Sequence, residues 1–388
     1  MPVLLTPIVP RFVVGIVIAV ALLCPSLWGA PPSTSPRLLT PRWQTPVAAQ
    51  LTGLDLSWDG QTVAFTVAPM LSSSDSSLHV YDLSGRELWT TRWRLKIIGV
   101  ALADDGQYMA IGSTDFAIAL FSRRGELLWE RKSVGIPYLT PHAQRVVAFN
   151  SGITGLSNTL LELFLRNGER PWSLRRKGRV WRSIVSDQGD LLLGLWNGEV
   201  LLIDRQHRIA WQQMLPKDIM ALAISPEDAQ YFAVGAGVLD QTLSLFERTG
   251  RLVWQRKLPL GITELSLARQ GEYLLSYGNT IGGQHLALYR HNGELQWTYH
   301  LEEPASENSK AVIVPNDPLV VAGIERGGQY VLQGFALTGE LLWVAPLPDP
   351  IFDFRVSRDG RYIAAATDRA LYFFDTRVLT GPKAELLK

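Results

Sequence analysis

The sequence predicts an all-β protein, an eight-bladed β-propeller of four-stranded antiparallel blades that is closed by an N-terminal strand. Three observations predict this fold: a Trp-containing phrase repeats along the chain, a second Gly-containing phrase alternates with it, and one Trp lies a single period before the first complete repeat. Self-similarity at a fixed period of roughly 40 residues is typical of solenoids and propellers. With 47% hydrophobic residues, the 388-residue chain has enough apolar surface to fold, which excludes a mainly disordered protein.

The first phrase predicts a β-hairpin whose outgoing strand carries the Trp. In residues 121–129, a short apolar run leads into a turn in which Gly125 precedes Trp129 by four residues. Six of the seven copies have this Gly, and His207 replaces it in the remaining copy. Gly is expected there because the residue that closes a short hairpin often needs a positive φ.

The Trp of each phrase is expected to fill the space between neighbouring blades with a large flat ring. These residues recur at nearly even spacing, and Trp43 extends the series one period upstream. The predicted blade-docking residues are Trp43, Trp89, Trp129, Trp172, Trp211, Trp254, Trp297 and Trp343.

The second phrase predicts an inner hairpin in every unit. Turns of the form Ser-x-Asp-Gly occur at residues 57–60 and 357–360, and the weaker copies between them bring the number to eight. Each unit then has four strands, as in a propeller blade rather than the helix pair of an α-solenoid. The last unit lacks a Trp hairpin after its third strand, and Trp43 can supply the missing strand. The N-terminal strand is therefore expected to complete the last blade, which removes an open sheet edge.

The N-terminal segment predicts export from the cytoplasm. Residues 12–23 form an unbroken apolar run after Arg11, which is the length of a secretory signal core and shorter than the ~20 residues of a spanning helix. The protein is expected to be periplasmic or secreted, with the leader cleaved, retained as a membrane anchor or acylated at Cys24. The predicted organisation is a signal peptide or anchor over 1–30, a linker over 31–39, the propeller over 40–376 and a C-terminal tail over 377–388.

The composition argues against several kinds of chemistry. The formal charge is +1, which gives no global reason to predict nucleic-acid binding. Cys24 is the only Cys, so the folded part has no thiol for a disulfide, a zinc–thiolate site or a nucleophile. The six His residues occur singly, and no Ser stands in a Gly-x-Ser-x-Gly phrase. No catalytic, cofactor-binding or metal-binding residue is predicted.

One alternative places a calcium or substrate site at the ring axis, built from acidic residues that follow the second strands of their units. The competing interpretation is that loop Asp residues cap turns, which is their usual role. The candidates are Asp115, Asp240, Glu325 and Asp368.

The most uneven charge lies in a basic stretch between the third and fourth units. This stretch is expected to join the outer strand of one blade to the inner strand of the next and to make one sector of a face positive. Such a sector suits an anionic protein surface, a lipid headgroup or a polysaccharide, and solvated loop charge is the alternative. The candidate partner-binding residues are Arg175, Arg176, Lys177, Arg179, Trp181 and Arg182.

The repeated phrases resemble those of a known superfamily. The phrase over residues 82–89, which contains Gly85 and Trp89, is similar to the tryptophan-docking repeat of the quinoprotein dehydrogenase or PQQ-like propellers. The turn at 357–360 resembles WD40-like repeats. Together the resemblances cover about residues 40–376, and they are specific for architecture but not for activity.

The resemblance implies two kinds of function. Enzymes of the superfamily bind pyrroloquinoline quinone and calcium at the ring axis, but no phrase here matches their base or metal ligands. Another branch, the lipoprotein propeller of the bacterial outer-membrane β-barrel assembly machinery, uses the same repeat as a noncatalytic scaffold.

The predicted function is a noncatalytic extracytoplasmic scaffold that binds a protein or another macromolecule through its loop face. No cofactor and no nucleic-acid partner are predicted, and the N-terminal segment would supply any membrane tether. The first alternative is a PQQ- and calcium-dependent oxidoreductase. The second alternative is a glycan-binding propeller that uses exposed aromatic residues such as Trp181 or Trp196.

Overall fold

Strands and tight turns make up nearly all of the described chain. A computed structural model describes residues 36–47, 49–69, 76–133, 135–149, 158–216, 218–237, 241–258, 261–280, 283–301, 310–326 and 328–380. The chain divides at Pro36, and the fold given below is that of the unit Arg37–Lys388. The predicted signal peptide or anchor, with Cys24, lies outside the described residues. Within those residues no helix is long and apolar enough to cross a membrane.

The described strands form eight sheets, and each sheet is one blade. Two short strands, β1 (Arg37–Leu39) and β2 (Trp43–Pro46), come first and join blades that are built at the other end of the chain. Six blades of four consecutive antiparallel strands then follow. Blade 1 contains β3 (Gln50–Leu56), β4 (Thr62–Ala68), β5 (Ser76–Asp82) and β6 (Glu87–Trp93); blade 2 contains β7 (Ile97–Leu102), β8 (Tyr108–Ser113), β9 (Ala117–Ser122) and β10 (Leu127–Lys132); blade 3 contains β11 (Ile136–Leu139), β12 (Arg145–Phe149), β13 (Asn158–Leu165) and β14 (Trp172–Lys177).

The next three blades repeat the same order of strands. Blade 4 contains β15 (Val180–Val185), β16 (Leu191–Leu195), β17 (Glu199–Ile203) and β18 (Ile209–Met214); blade 5 contains β19 (Ile219–Ile224), β20 (Tyr231–Ala236), β21 (Gln241–Glu247) and β22 (Leu252–Leu258); blade 6 contains β23 (Glu264–Leu267), β24 (Tyr273–Thr280), β25 (Gly283–Arg290) and β26 (Leu295–Leu301). Single 3-10 turns, Pro141–Ala143 and Arg269–Gly271, follow the first strands of blades 3 and 6. Most first strands contact the first strand of a neighbouring blade, which places them around the ring axis.

Blades 7 and 8 use both ends of the chain. Blade 7 contains β27 (Ala311–Ile313), β28 (Leu319–Arg326), β29 (Gln329–Ala336) and β30 (Leu341–Leu347), and blade 8 contains β31 (Ile351–Val356), β32 (Tyr362–Thr367), β33 (Ala370–Asp375) and β2. The last strand, β34 (Leu379–Thr380), joins blade 7 through β1. The prediction of an eight-bladed propeller is confirmed.

The antiparallel order of the strands gives the ring two different faces. The inner turn of each blade, between its first and second strands, and the outer turn, between its third and fourth strands, lie on one side, which we call the turn face. The connections between second and third strands, and from each fourth strand to the next blade, lie on the other side, the loop face. Residues far apart along the chain therefore meet on one face when they occupy the same position of the repeat.

The predicted closure of the ring by the N-terminal strand is also confirmed. β2 pairs with β33, with Trp43 opposite Phe373, and the two rings stack with their centroids 5.0 Å apart. The indole N–H of Trp43 donates to the carbonyl oxygen of Leu83 in blade 1, at 3.1 Å. One short strand thus completes blade 8 and contacts blade 1.

Blade 7 is wider than the sequence predicts, because both ends of the described chain add to it. β1 pairs in parallel with β30, with Arg37 opposite Trp343, and β34 pairs with the other edge of β1. The linker predicted over 31–39 and the tail predicted over 377–388 therefore each contribute a strand. Pairing with β1 satisfies backbone groups at the outer edge of β30, which the fourth strands of the four-stranded blades leave open. Leu39, only 1% exposed, also packs into the core around Trp343.

Burial follows the position of a strand within its blade. Every residue of β16 is buried, because blades on both sides cover it. In β14, a fourth strand, half-buried and exposed residues alternate. Fourth strands therefore pack one side against a neighbouring blade and present the other side to solvent.

The Gly and the Trp of the repeated phrase meet across blade boundaries. The ring of Trp43 lies against Gly85 of blade 1, where an added Cβ would come within 2.8 Å of the indole. Gly85 also has a φ of 86°, a conformation that residues with a Cβ rarely adopt. The same contact joins Trp89 to Gly125, Trp129 to Gly168, Trp211 to Gly250, Trp254 to Gly293 and Trp297 to Gly339.

His207 occupies the Gly position of blade 4. Its φ of 65° is in the left-handed region, and its ring stacks on Trp172 at a centroid distance of 5.4 Å. In other blades the docking indole packs directly on a Gly at this position. In blade 4 the indole of Trp172 packs on the His ring instead. Burial, with the nearby Arg145, lowers the pKa of His207.

Several docking indoles are also fixed by hydrogen bonds to the next blade. Their N–H groups donate to carbonyl oxygens in the outer turns, at 2.8 to 3.1 Å; the donors are Trp43, Trp89, Trp129, Trp254 and Trp297. These contacts support the proposal that the repeated Trp residues dock adjacent blades.

Candidate functional site

Blade 4 presents two exposed indole rings on the loop face. Trp181 lies near the start of β15 and Trp196 lies between β16 and β17, and they are 37% and 51% exposed. Their centroids are 4.6 Å apart in an edge-to-face arrangement. The amide of Trp196 donates to the carbonyl oxygen of Arg179 at 2.9 Å, which fixes the loop that carries the ring. Large rings held in place at a surface are typical of binding sites.

A flexible apolar side chain extends this exposed area. Met214, which is 59% exposed, ends β18 on the loop face. The following residue, Leu215, donates its amide to the carbonyl oxygen of Gly198, two residues after Trp196, at 2.9 Å. We call Trp181, Trp196 and Met214 the blade 4 surface.

Basic side chains border the blade 4 surface. The guanidinium of Arg182 lies over the ring of Trp181, 5.1 Å from its centroid, and its Nε donates to the carbonyl oxygen of Met220 in blade 5 at 2.8 Å. Arg179 is exposed between β14 and β15. Arg175 and Lys177 are exposed on β14 of blade 3, on the side of that strand opposite to Arg176, which contacts blade 4. Aromatic and guanidinium groups thus share one edge of the loop face.

The structure places the predicted basic stretch differently from the sequence prediction. The stretch is predicted to be a joint between blades, but β14 continues to Lys177 and β15 begins at Val180, so that only two residues form the joint. Arg176 lies on the half-buried side of β14, and its Nη2 is 3.3 Å from Gln212 Oε1 in blade 4. Arg176 and Arg182 therefore contact neighbouring blades, and Arg175, Lys177 and Arg179 are exposed.

A second group of charged side chains surrounds the ring axis. Asp353 forms ion pairs with Lys310 and with Arg355, whose Nη2 is 3.1 Å from Asp353 Oδ2. The Nε of Arg355 is also 3.7 Å from Asp55 Oδ1. With Glu264, these residues form the axial charge cluster. They come from the first strands of blades 1, 6 and 8 and from the start of blade 7.

Burial and neighbouring charges shift the pKa values of residues in the axial charge cluster. Burial raises the pKa of Asp55, although Arg355 opposes the effect, and burial raises the pKa of Glu264 as well. Burial and Arg355 lower the pKa of Lys310. Burial opposes ionisation of Asp353, but Arg355 and Lys310 outweigh it and hold the pKa of that carboxyl below its usual range.

The axial charge cluster does not fit the calcium site of the oxidoreductase alternative. Calcium takes six to eight oxygen ligands, whereas Asp55 and Asp353 already face the guanidinium of Arg355. Asp55 also accepts the amide of Leu102 at 2.7 Å. These carboxylates balance cations of the chain itself.

The acidic residues predicted to follow the second strands do not form a ligand group in the described part of the chain. Asp115 forms an ion pair with Arg94 and accepts a hydrogen bond from Ser113. Glu325 and Asp368 belong to blades 7 and 8 and are not grouped with it. Asp240 lies outside the described residues.

One group that sequence spacing did not predict lies on the turn face between blades 2 and 3. His142 Nδ1 is 2.9 Å from Asp105 Oδ2 and 3.5 Å from Asp104 Oδ1. Ion pairing explains the arrangement, and it raises the pKa of His142, mainly through Asp105. The group borders a groove of about 390 Å³, where the guanidinium of Arg166 lies 5.0 Å from the ring centroid of Tyr108. A metal ion could also use these three ligand atoms, but the exposed cluster alone does not assign one.

The inner turns contact one another around the turn face, and we call them the turn collar. The amide of Asp187 in blade 4 donates to the carbonyl oxygen of Pro226 in blade 5 at 2.6 Å. Arg358 of blade 8 reaches the same region, with its Nη2 2.5 Å from Asp187 Oδ2 and 3.1 Å from Glu227 Oε1. Burial raises the pKa of Asp187 to about 6; Arg358 opposes the shift, and Glu227 and Asp104 add to it.

Asp187 is expected to make stability fall as the pH rises from about 4 to about 6. Its carboxyl binds a proton more tightly in the folded protein, pKa about 6, than at its ordinary value of 3.8, so its favourable contribution is complete below pH 4 and lost above pH 6. A shift of this size corresponds to at most about 3 kcal/mol. The free energy of unfolding should be measured by urea titration for the native chain and Asp187→Asn. The native chain should lose stability relative to Asp187→Asn across this pH range, and a constant difference would contradict the prediction.

Comparison with protein families gives one match that covers most of the chain. The family model described as "Outer membrane protein assembly factor BamB" matches residues 40–213 and 239–378. A search of curated proteins finds no match. The matched residues cover most of the propeller, including Trp181 and Trp196 of the blade 4 surface and most of the turn collar.

Solved structures with a similar fold share little sequence with this chain. BamB from Moraxella catarrhalis is 16% identical with a TM-score of 0.60, over 89% of this chain and all of that chain. Sqt1 from Chaetomium thermophilum, in a structure bound to the N-terminus of the ribosomal protein L10, is 12% identical with a TM-score of 0.68, over 84% of this chain and 97% of that chain. The Dos1 propeller is 10% identical with a TM-score of 0.64, over 87% and 95% of the two chains. At these identities the similarity concerns the fold.

Proposed function

The chain belongs to the family of the outer membrane protein assembly factor BamB, and on that premise we propose that it is a noncatalytic scaffold that binds a protein partner outside the cytoplasm. The blade 4 surface carries the proposal. Its two indole rings are exposed side by side on the loop face, although the docking Trp residues of the same chain pack between blades. Burial of these rings by a partner would remove apolar surface from water.

The composition of the blade 4 surface favours a protein as the partner. Trp, Met and Arg are enriched in protein–protein interfaces, and Trp and Arg are common among the residues that contribute most to binding. Arg175 and Lys177 make no ion pair within the described residues, so their charge is available to a partner. A complementary surface would place an apolar side chain against Trp181 and Trp196 and acidic groups toward the basic border.

Two properties of other proteins support the proposal. The family description names a factor in outer-membrane protein assembly, and one propeller of similar fold was solved with the N-terminus of a ribosomal protein bound to it.

The apolar run over 12–23 supports a location outside the cytoplasm. Cell fractionation of the full-length chain tests this location, and recovery in the cytoplasmic fraction alone would contradict it.

The proposed binding surface can be tested by capture from the native cell envelope. We expect Trp181→Ala/Trp196→Ala to reduce recovery of the protein partner about tenfold or more, since central aromatic residues contribute most to binding. Arg175→Glu/Lys177→Glu should reduce recovery as well, by a smaller factor, because the reversed charges repel an acidic partner. The matched control is Arg123→Glu/Arg124→Glu, which makes the same charge change in an outer turn on the turn face. The control should retain the partner, and thermal unfolding should show that all variants are folded.

The other outcomes identify the alternatives. Full recovery with both sets of loop-face variants would contradict the proposed surface. Loss of binding upon addition of soluble oligosaccharide, with no protein recovered, would support the glycan-binding alternative. Dye-linked activity after addition of the quinone and calcium would support the oxidoreductase.

A further inference from the structure

A single arginine crosses the ring on the turn face. Arg358 belongs to the inner turn of blade 8, and the two carboxylates that it contacts, Asp187 and Glu227, belong to blades 4 and 5. Blades 8 and 4 are opposite each other in an eight-bladed ring. An ion pair between them has to pass over the ring axis, so these side chains lie across the axis on the turn face.

The position of Arg358 is determined by contacts on several sides. Its guanidinium lies over the ring of Trp58 in blade 1, 4.7 Å from the centroid. Its amide donates to the carbonyl oxygen of Trp58 at 2.9 Å, and its carbonyl oxygen accepts the amide of Asn316 in blade 7 at 3.1 Å. The side chain of Arg358 is 22% exposed and that of Asp187 is 12% exposed. Solvent therefore weakens this ion pair less than it weakens an exposed pair.

The remaining contacts between inner turns connect the blades in two arcs, and beside them Arg145 of blade 3 donates to the carbonyl oxygen of Arg205 in the outer turn of blade 4, at 2.7 Å. In the first arc, Arg358 joins blades 7, 8 and 1 as described. The amide of Asp59 then donates to the carbonyl oxygen of Asp104 at 3.4 Å, and the amide of His142 donates to Asp104 Oδ1 at 2.5 Å, which adds blades 2 and 3.

The second arc contains blades 4, 5 and 6. Asp187 and Pro226 connect blades 4 and 5 through their backbones. The Nε of Arg269 is 2.6 Å from Glu227 Oε2, which adds blade 6. Arg358 reaches from the first arc to both carboxylates of the second.

We propose that Arg358 is a clasp that joins the two arcs of the turn collar and covers the ring axis at the turn face. A solute or a partner segment would then reach the axial charge cluster from the loop face, the same face that carries the blade 4 surface. This inference does not depend on the identity of the partner, because it rests on contacts within the ring.

Amide hydrogen exchange measured by mass spectrometry tests the clasp in the purified chain. Arg358→Met keeps the length of the side chain and removes its charge. We expect exchange to become about tenfold faster or more in the inner turns of blades 4, 5 and 8, within residues 186–190, 225–229 and 357–360. The strands of the blades should keep their protection. The control is Arg269→Met, which removes an ion pair within the second arc and should leave residues 357–360 unchanged.

A double variant distinguishes a direct contact from an indirect effect. Arg358→Met/Asp187→Asn should exchange no faster in these turns than Arg358→Met alone, because both changes remove the same ion pair. If Arg358→Met does not fold, Asp187→Asn/Glu227→Gln removes both partners and keeps the arginine, and the same acceleration is expected. Unchanged exchange in these turns, or equal acceleration in all eight blades, would overturn the proposal.

Discussion

Deletion of residues 37–46 is expected to destabilise the whole propeller rather than one blade. The deletion removes β1 and β2, so blade 8 loses its fourth strand and blade 1 loses the indole that packs against Gly85. Loss of a buried aromatic side chain costs about 3–5 kcal/mol, and the deletion also opens two sheet edges. Against a typical total of roughly 5–15 kcal/mol, we expect the melting temperature to fall by about 10 °C or more.

Calorimetry and circular dichroism of two truncated chains test this expectation. A chain that begins at Arg37 keeps both strands and is the matched control, whereas a chain that begins at Val47 lacks them. At the level of one residue, Trp43→Ala should cost at most about 3–5 kcal/mol, since the ring of Trp43 is partly buried. Trp196→Ala should change stability by only about 0.5 kcal/mol, because half of that ring is already exposed. If the chain that begins at Val47 melts at the same temperature as the control, closure by β2 does not stabilise the ring.

The sequence predicted the number of blades and their closure because the signals are local and periodic. A Gly turn followed by Trp needs only one hairpin to be recognised, and Trp43 fits the same period as its partners. β1 and β34 could not be predicted in this way. They are three and two residues long, and their pairing depends on the free edge of β30 rather than on a pattern of their own.

The candidate surface was predicted only in part. The residue types indicate a binding surface, but the sequence predicts a joint between blades over the basic stretch because its charged residues hide the alternation of β14. That alternation follows from the position of a fourth strand, which contacts a blade on one side only. The proximity of Trp181 and Trp196 depends on the pairing of β15 with β16, which composition does not reveal.

The turn collar has a sequence signal that was not recognised. Trp58, Asp104, Asp187, Arg269 and Arg358 each occupy the second position of an inner turn, directly after Ser or Ala. Equivalent positions of a closed ring face the same axis, so an excess of charge at one position of the repeat indicates contacts between opposite blades. An alignment of the inner turns alone would therefore suggest the pair of Arg358 and Asp187, although those residues are 171 positions apart.

The contact between Gly and Trp leads to a second prediction with a large effect. Gly85 is constrained twice, because its φ is 86° and because an added Cβ would lie 2.8 Å from the ring of Trp43. Gly328 shares the first constraint, with a φ of 74°, but has no atom within 4 Å of an added Cβ. The two residues therefore separate the cost of the backbone conformation from the cost of the lost contact between blades.

Gly85→Ala is expected to reduce the free energy of unfolding by about 2–5 kcal/mol. About 1–2 kcal/mol of this loss comes from placing a Cβ on a left-handed backbone. About 1–3 kcal/mol comes from displacement of the indole of Trp43. Gly328→Ala should cost only the backbone part, about 1–2 kcal/mol. Urea unfolding followed by Trp fluorescence measures both changes. Combining Gly85→Ala with Trp43→Ala should cost less than the sum of the two single changes, because the Cβ then has no ring to displace. Equal losses for Gly85→Ala and Gly328→Ala would show that the Gly serves the turn alone and that the Trp can dock without it.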